Sequence, residues 1–234
     1  MHLPRLHDRR FRSRPVRALI LDMDGTIVDT RAFHMRSWRV LVGELGLGER
    51  EYQIAEAGFG KTNWMIFSQW WPDQRPRGVD DDELSERKES IFRELIRGHV
   101  VPRPGFRELI ELALRNGIKL GLATSSPKEN ALFLLEELGV RELFGAVTWG
   151  WAGIRSKPHP DSFLLAARLL EVPPVNCLGY EDSDHGLLAL RRAGMGIVGI
   201  AERPLDLNRL RLWTPYVFSD FQGATWMLRR VMEG

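Results

Sequence analysis

Residues 22–30 read Asp-Met-Asp-Gly-Thr-Ile-Val-Asp-Thr and follow directly on the apolar run Ala18-Leu19-Ile20-Leu21. Such a run reads as a strand buried on both faces. Its abrupt end in two aspartates one residue apart, then a glycine, narrows what the chain can become. In an open α/β sheet, ligands bind just beyond the carboxyl ends of strands. Asp22 and Asp24 at such an end face a crevice, and close carboxylates repel unless a cation or a shared proton stands between them. These residue types suggest a nucleophile and a general acid/base around a hard metal ion. The competing reading is an Asp-rich surface turn. Three elements downstream that fit the same site weigh against it.

The remaining composition excludes several classes. Lys and Arg total 33 against 31 Asp and Glu, a net charge of +2. The two signs are interleaved, whereas a nucleic-acid footprint clusters its cations. The local excess lies in a basic leader, residues 1–16, with Arg5, Arg9, Arg10, Arg12 and Arg14. It reads as a flexible leader; Asp8 and a single serine argue against an organelle transit peptide. No apolar stretch approaches the roughly 18 residues of a membrane span, and no signal-peptide core is present. The single cysteine, Cys177, lies in an apolar run where a thiol packs as a small hydrophobe. A reducing, cytoplasmic setting and a monomer are expected.

Five short apolar runs read as buried strands: 17–22, 118–123, 146–149, 175–179 and 196–200. A helical pattern at 105–116 precedes the last four, and patterns at 127–138, 160–170 and 184–193 separate them. Strand and helix alternating at this spacing imply a parallel sheet covered on both faces, a Rossmann-like three-layer α/β core. Residues 32–99 break the alternation with helical stretches at 32–45, 49–57, 63–71 and 81–96. They read as an inserted α-helical cap domain, leaving 17–31 and 100–234 as the core. A helical insert beside strand ends is placed to act as a lid; the alternative is an excursion with packing duties only.

Leu122-Ala123-Thr124-Ser125-Ser126 runs a strand into hydroxyls at a helix start, where exposed N–H groups and hydroxyls suit phosphate. Plain N-capping would explain one of these hydroxyls. Lys157, in Ser156-Lys157-Pro158-His159-Pro160-Asp161, precedes a Pro-initiated helix and could neutralise a phosphate or a charged nucleophile. The alternative is a solvated lysine, and Asp161 reads as a first-turn acid. Glu181, Asp182 and Asp184 follow a strand and open a helix. Helix-start acidity accounts for Asp184, less well for Glu181 and Asp182 together, whose hard oxygens suit Mg²⁺. His185 reads as a helix-start or surface residue.

In this order the four elements resemble the haloacid dehalogenase superfamily of phosphotransfer enzymes over residues 17–201. The insert is similar to the helical-cap subclass, in its β-phosphoglucomutase and sugar-phosphate phosphatase branch. The resemblance implies that Asp22 is the nucleophile, forming an aspartyl-phosphate, and that Asp24 protonates the leaving oxygen and deprotonates the incoming one. It implies that Thr124, with Ser125, bonds the phosphoryl oxygens and that Lys157 offsets charge. Asp182 would bind Mg²⁺ beside Asp22 and the Asp24 carbonyl, with Glu181 nearby or ligating through water. In the insert, Thr30 to His34 resembles the hinge threonine and cap histidine of this branch. Gly60-Lys61-Thr62 resembles its specificity loop, and Lys88 stands where a substrate-binding lysine often occurs. A histidine packing on Trp38 and solvated lysines are the plainer readings of His34, Lys61 and Lys88.

Departures bear on the activity. Asn63 stands where the mutase usually has an arginine for a second phosphate, and Ser126-Pro127-Lys128 differs from its Ser-Lys-Asn. The stretch Trp149 to Gly153, before the lysine element, is also unusual and could shape the pocket edge. The expected function is a Mg²⁺-dependent phosphatase acting on a small phosphorylated metabolite, a sugar phosphate by resemblance. A β-phosphoglucomutase-type isomerase using the same nucleophile is the alternative. A non-catalytic binding protein on the same scaffold is the third reading, disfavoured by the complete set of catalytic residue types.

Overall fold

The computed structural model describes residues 15–233 except 60, 61, 72–75, 77, 151 and 152. Most of the basic leader, Gly60, Lys61, Trp151 and Ala152 therefore lie outside the described residues. Two units emerge: a helical one, Thr30–Val100, and an α/β one formed by the chain on either side of it.

In the α/β unit, β1 (Ala18–Leu21) has all four residues buried, as a strand flanked on both edges and both faces requires. It pairs in parallel with β2 (Lys119–Ala123) and with β4 (Cys177–Glu181). Adding β3 (Ala146–Thr148), β5 (Gly196–Ile200) and β6 (Val217–Phe218) gives the parallel order β3-β2-β1-β4-β5-β6. The order reverses between β1 and β4, so the carboxyl ends of these strands open a crevice. β4 begins two residues later than the apolar run predicts, because Pro174–Asn176 forms a 3-10 turn. Glu181 is therefore the buried last residue of a strand rather than part of a helix start. β6 was not among the predicted strands; at two half-buried residues it has no length over which to show alternation.

The helical unit contains α1 (Arg31–Glu44), α2 (Glu49–Ala57), α3 (Asn63–Trp70) and α4 (Asp81–Ile96). Its core gathers Trp38, Leu41, Phe67, Trp70 and Ile91. Trp38, Phe67 and Trp70 meet edge-on with centroids 5.2–5.6 Å apart, a favourable arrangement of ring quadrupoles. Asp80 caps α4 by accepting from the N–H groups of Asp82 and Glu83.

The α/β unit continues with α5 (Phe106–Arg115), α6 (Lys128–Glu137), α7 (Asp161–Leu169), α8 (Asp184–Ala193), α9 (Pro204–Leu210) and α10 (Phe221–Glu233). Phe163, Ala166, Leu187, Leu190 and Leu210 of α7, α8 and α9 pack with Ala18 and Ile20 on one side of the sheet. Elsewhere, Phe106 of α5 and Tyr180 of β4 both pack on Phe221 of α10. Among the described residues, no helix is long and apolar enough to cross a membrane.

Candidate active site

β1 ends at Leu21, so Asp22 and Asp24 lie just beyond it, at the point where the sheet order reverses. Asp22 is buried and Asp24 half-buried. Their carboxylates are held by different partners. Lys157 Nζ donates to Asp22 Oδ1 at 2.5 Å, to Glu181 Oε1 at 2.7 Å and to the Ala123 carbonyl at 3.0 Å. All three donors of the ammonium are thereby used, each aimed at an acceptor at a strand's carboxyl end. Asp24 Oδ2 instead accepts from the hydroxyls of Ser126 at 2.5 Å and Thr124 at 3.5 Å. Thr124 Oγ1 also accepts from the Ser126 N–H at 3.0 Å, which locks the turn into α6.

Glu181 organises the other wall. Its Oε2 accepts from the N–H groups of Asp182 and Ser183 and from the Ser183 hydroxyl, each at 2.9 Å, while Oε1 faces Lys157. Ser183 Oγ then accepts from Gly186 N–H and caps α8. Gly186 has to be glycine: a Cβ there would lie 1.8 Å from the Glu181 carboxyl carbon. Gly25 is constrained in the same way, with φ +87° and a Cβ position 2.2 Å from Asp182 Oδ2. Thr26 Oγ1 donates weakly to Asp182 Oδ1 at 3.4 Å.

Asp22, Glu181 and Asp182 each offer a carboxylate oxygen within 4.8 Å of the others. Burial pushes the Asp22 carboxyl up to about 7; Lys157 opposes the rise, while Glu181 and Asp24 add to it. Burial, then Glu181 and Asp22, raise Asp182 well above the carboxylate range. Burial would lower Lys157, but Asp22 and Glu181 outweigh it and hold the ammonium above its usual value. With one lysine set among these acids, an all-oxygen donor set short of positive charge fits a hard divalent cation such as Mg²⁺. Asp22 and Asp182 are the carboxylates best suited to hold it, since Glu181 already takes four hydrogen bonds.

The expected residues fall into two groups. Asp22, Asp24, Thr124, Lys157, Glu181 and Asp182 meet at one end of the sheet. Ser125 sits beside them but is exposed, and the nearer of the two hydroxyls on Asp24 is that of Ser126, which the sequence did not single out. Its signal was present as the third hydroxyl of the cluster. Asp161 is bound by Arg155 and His185 is exposed. Asp184, at the start of α8, accepts from Arg209 and from the Trp213 indole N–H, both at 2.7 Å.

In the helical unit, His34 and Lys88 come together. Lys88 is 3% exposed, and its Nζ lies 2.7 Å from His34 Nδ1 and 3.0 Å from Glu89 Oε1. An ammonium only donates, so Nδ1 is the acceptor and a neutral ring carries its proton on Nε2. His34 stacks on Phe92, centroids 3.9 Å apart. Asn63 donates to Glu89 Oε1 and to the Ser85 hydroxyl.

A parallel sheet of this order, with paired carboxylates, a buried lysine and helix-start hydroxyls at its carboxyl edge, places the chain among α/β enzymes. The chain belongs to the haloacid dehalogenase-like hydrolase family, whose profile matches residues 16–194. It is 34% identical over 184 residues to the fructose-1-phosphate phosphatase YqaB of Escherichia coli (strain K12), covering 78% of this chain and 95% of that one. Against the beta-phosphoglucomutase of Bacillus subtilis (strain 168) the figures are 30% over 195 residues, 80% and 84%. The crystal structure of beta-phosphoglucomutase from Clostridium difficile superimposes with a TM-score of 0.74 at 25% identity, covering 94% of this chain and all of the other.

Proposed function

We propose that the protein is a Mg²⁺-dependent phosphatase that hydrolyses a small sugar phosphate in the cytoplasm through an aspartyl-phosphate on Asp22. The observation that carries this reading is the division of labour between the two aspartates. Asp22 is paired with Lys157, whereas Asp24 is hydrogen-bonded by Ser126 and Thr124. The ammonium aims the carboxylate and favours its anionic form against the burial that raises its pKa, as a nucleophile requires. A carboxyl between hydroxyls can carry and return a proton.

In the first step an Asp22 oxygen forms a bond to phosphorus and the ester P–O bond breaks. The leaving oxygen takes the proton of Asp24. In the second step Asp24 takes a proton from water, whose oxygen bonds to phosphorus as the P–O bond to Asp22 breaks, releasing phosphate. A phosphate monoester carries about two negative charges near neutral pH, which an anionic nucleophile cannot approach unscreened. Lys157 supplies part of that screening, and bound Mg²⁺ would supply the rest and stabilise the in-line transition state.

The likeness to the fructose-1-phosphate phosphatase supports a sugar phosphate as substrate. Asn63 supports hydrolysis over mutase chemistry: its neutral amide is engaged by Glu89 and Ser85 and offers no cation to a second phosphate. His34 and Lys88 are assigned to reading the hydroxylated end of the substrate. The test is incubation with Mg²⁺ and a panel of sugar phosphates, following both free phosphate and isomerised product. The panel includes β-glucose 1-phosphate primed with the 1,6-bisphosphate. Phosphate release from a few members is expected; glucose 6-phosphate without phosphate release would make the protein a mutase.

A further inference from the structure

Arg103 belongs to none of the sequence elements above. It lies two residues after Val101, where the chain re-enters the α/β unit, and its side chain is 12% exposed. Its Nε donates to the Gly25 carbonyl at 3.0 Å, and its own N–H donates to the Ile27 carbonyl at 2.8 Å. Pro102 bridges Val28, and Val28 bridges Asp24. The turn after Asp24, closed by Gly25 N–H on the Val28 carbonyl at 2.8 Å, is thus fastened along its length to residues 102 and 103.

Gly25 is also the point where this turn meets Asp182, whose carboxylate occupies the space a Cβ would fill. On its outer side Arg103 meets Glu202 at 3.2 Å, and Glu202 is 72% exposed. An ion pair of that kind contributes little, so the outer contact does not account for the arginine; the inner bond to Gly25 does.

We propose that Arg103 is a positioning residue of the phosphoryl-transfer centre: by holding the Gly25 carbonyl it fixes Asp24 relative to Asp182, and with them the Mg²⁺ site. The inference rests on the phosphatase reading. A displacement of the order of 1 Å in such a centre can cost about 10²-fold in rate.

The test compares Arg103→Met, Arg103→Gln and Glu202→Gln with the wild type in the full chain. Mg²⁺ binding is read by calorimetry with no substrate present, kcat and KM with p-nitrophenyl phosphate, and Tm by scanning calorimetry. Arg103→Met is expected to weaken Mg²⁺ binding about tenfold and lower kcat by about 10- to 100-fold, with KM little changed. Arg103→Gln, which keeps a donor for Gly25, should recover part of both, and Glu202→Gln should match the wild type. Wild-type Mg²⁺ affinity and kcat in Arg103→Met, even with a lowered Tm, would overturn the proposal. Should Arg103→Met not fold, Arg103→Ala takes its place, and wild-type Mg²⁺ affinity and kcat there would overturn it. A wild type that binds Mg²⁺ but hydrolyses no phosphate ester would fail the phosphatase reading, and the Mg²⁺ titrations would still decide the role of Arg103.

Discussion

The Lys157 ammonium lies 2.7 Å from Glu181 Oε1, with the side chains only 7% and 2% exposed. Glu181 also receives the N–H groups of Asp182 and Ser183 on its other oxygen. One carboxylate therefore both holds the lysine against Asp22 and shapes the loop that carries Asp182. Without it Lys157 keeps Asp22 and the Ala123 carbonyl, but the N–H groups of Asp182 and Ser183 lose their acceptor, a loss of about 1–3 kcal/mol. Glu181→Ala is expected to reduce the unfolding free energy by that amount in urea titrations, and Glu181→Gln by less. A change below about 0.5 kcal/mol, typical of an ordinary surface substitution, would show that the carboxylate has no such structural role.

The two aspartates should fail in different ways. In the proposed mechanism Asp22→Asn removes the nucleophile, so turnover should fall by more than about 10³-fold while the circular dichroism spectrum and cooperative unfolding persist. Asp24→Asn leaves Asp22 in place but removes the group proposed to activate water. With p-nitrophenyl phosphate, whose leaving group needs no proton, it should release about one equivalent of nitrophenol per protein and then stall. Stopped-flow absorbance reads this directly. A linear time course at a reduced rate, with no burst, would mean that Asp24 is not the base of the second step.

Mg²⁺ should stabilise the fold by relieving the crowding of Asp22, Glu181 and Asp182. At about 100 times the dissociation constant the increment is about 2.7 kcal/mol, visible as a rise in Tm. The metal binds the ionised carboxylates, and Asp22 in the metal-free protein holds its proton up to about 7. Protons therefore compete, and the Tm rise should be large at pH 8 and shrink as pH falls through 7. Asp182→Asn should abolish most of it. An increment that survives in Asp182→Asn would place the ion elsewhere.

Sequence alone made the first five strands legible, because each is an apolar run ending in a turn signal. β6 offered too few residues to show a period, and α10 is diluted by Gly223 and Thr225, which favour helix weakly. Asp22, Asp24 and Lys157 stood out because charge directly follows an apolar strand or opens a helix. Ser126 did not, since three adjacent hydroxyls carry no mark of which one faces Asp24. Arg103 reads as a linker arginine until the turn it fastens is seen. Glu181 was read as lying after the strand, because the strand was placed two residues too early. Lys88 sits in a highly charged stretch typical of a solvated face, and only the fold shows that it is sealed against Trp38 and Phe92.

That burial matters for recognition. If Lys88 reads the sugar, Lys88→Ala should raise KM for sugar phosphates about tenfold or more while changing KM for p-nitrophenyl phosphate little, as expected when a binding contact made only by the larger substrate is lost. Steady-state kinetics on both substrates decides it, and equal effects would remove Lys88 from recognition.

Glu89 gives the helical unit a signature in pH. Burial alone would raise its pKa; Lys88, His34 and Asn63 outweigh that and hold it below the ordinary value of 4.5. A carboxyl with a depressed folded pKa binds its proton more weakly folded than unfolded. Its contribution is therefore fully present above about pH 4.5 and is lost as pH falls through the lower folded value. Glu89→Gln should lower Tm by several degrees at pH 7, because Lys88 is left buried without its carboxylate. The wild type alone has this contribution to lose on acidification, so the gap between the two Tm curves should close below pH 4.5. Scanning calorimetry from pH 7 to pH 3 reads both curves. A gap that stays constant across that range would show that the Glu89 charge does not stabilise the fold.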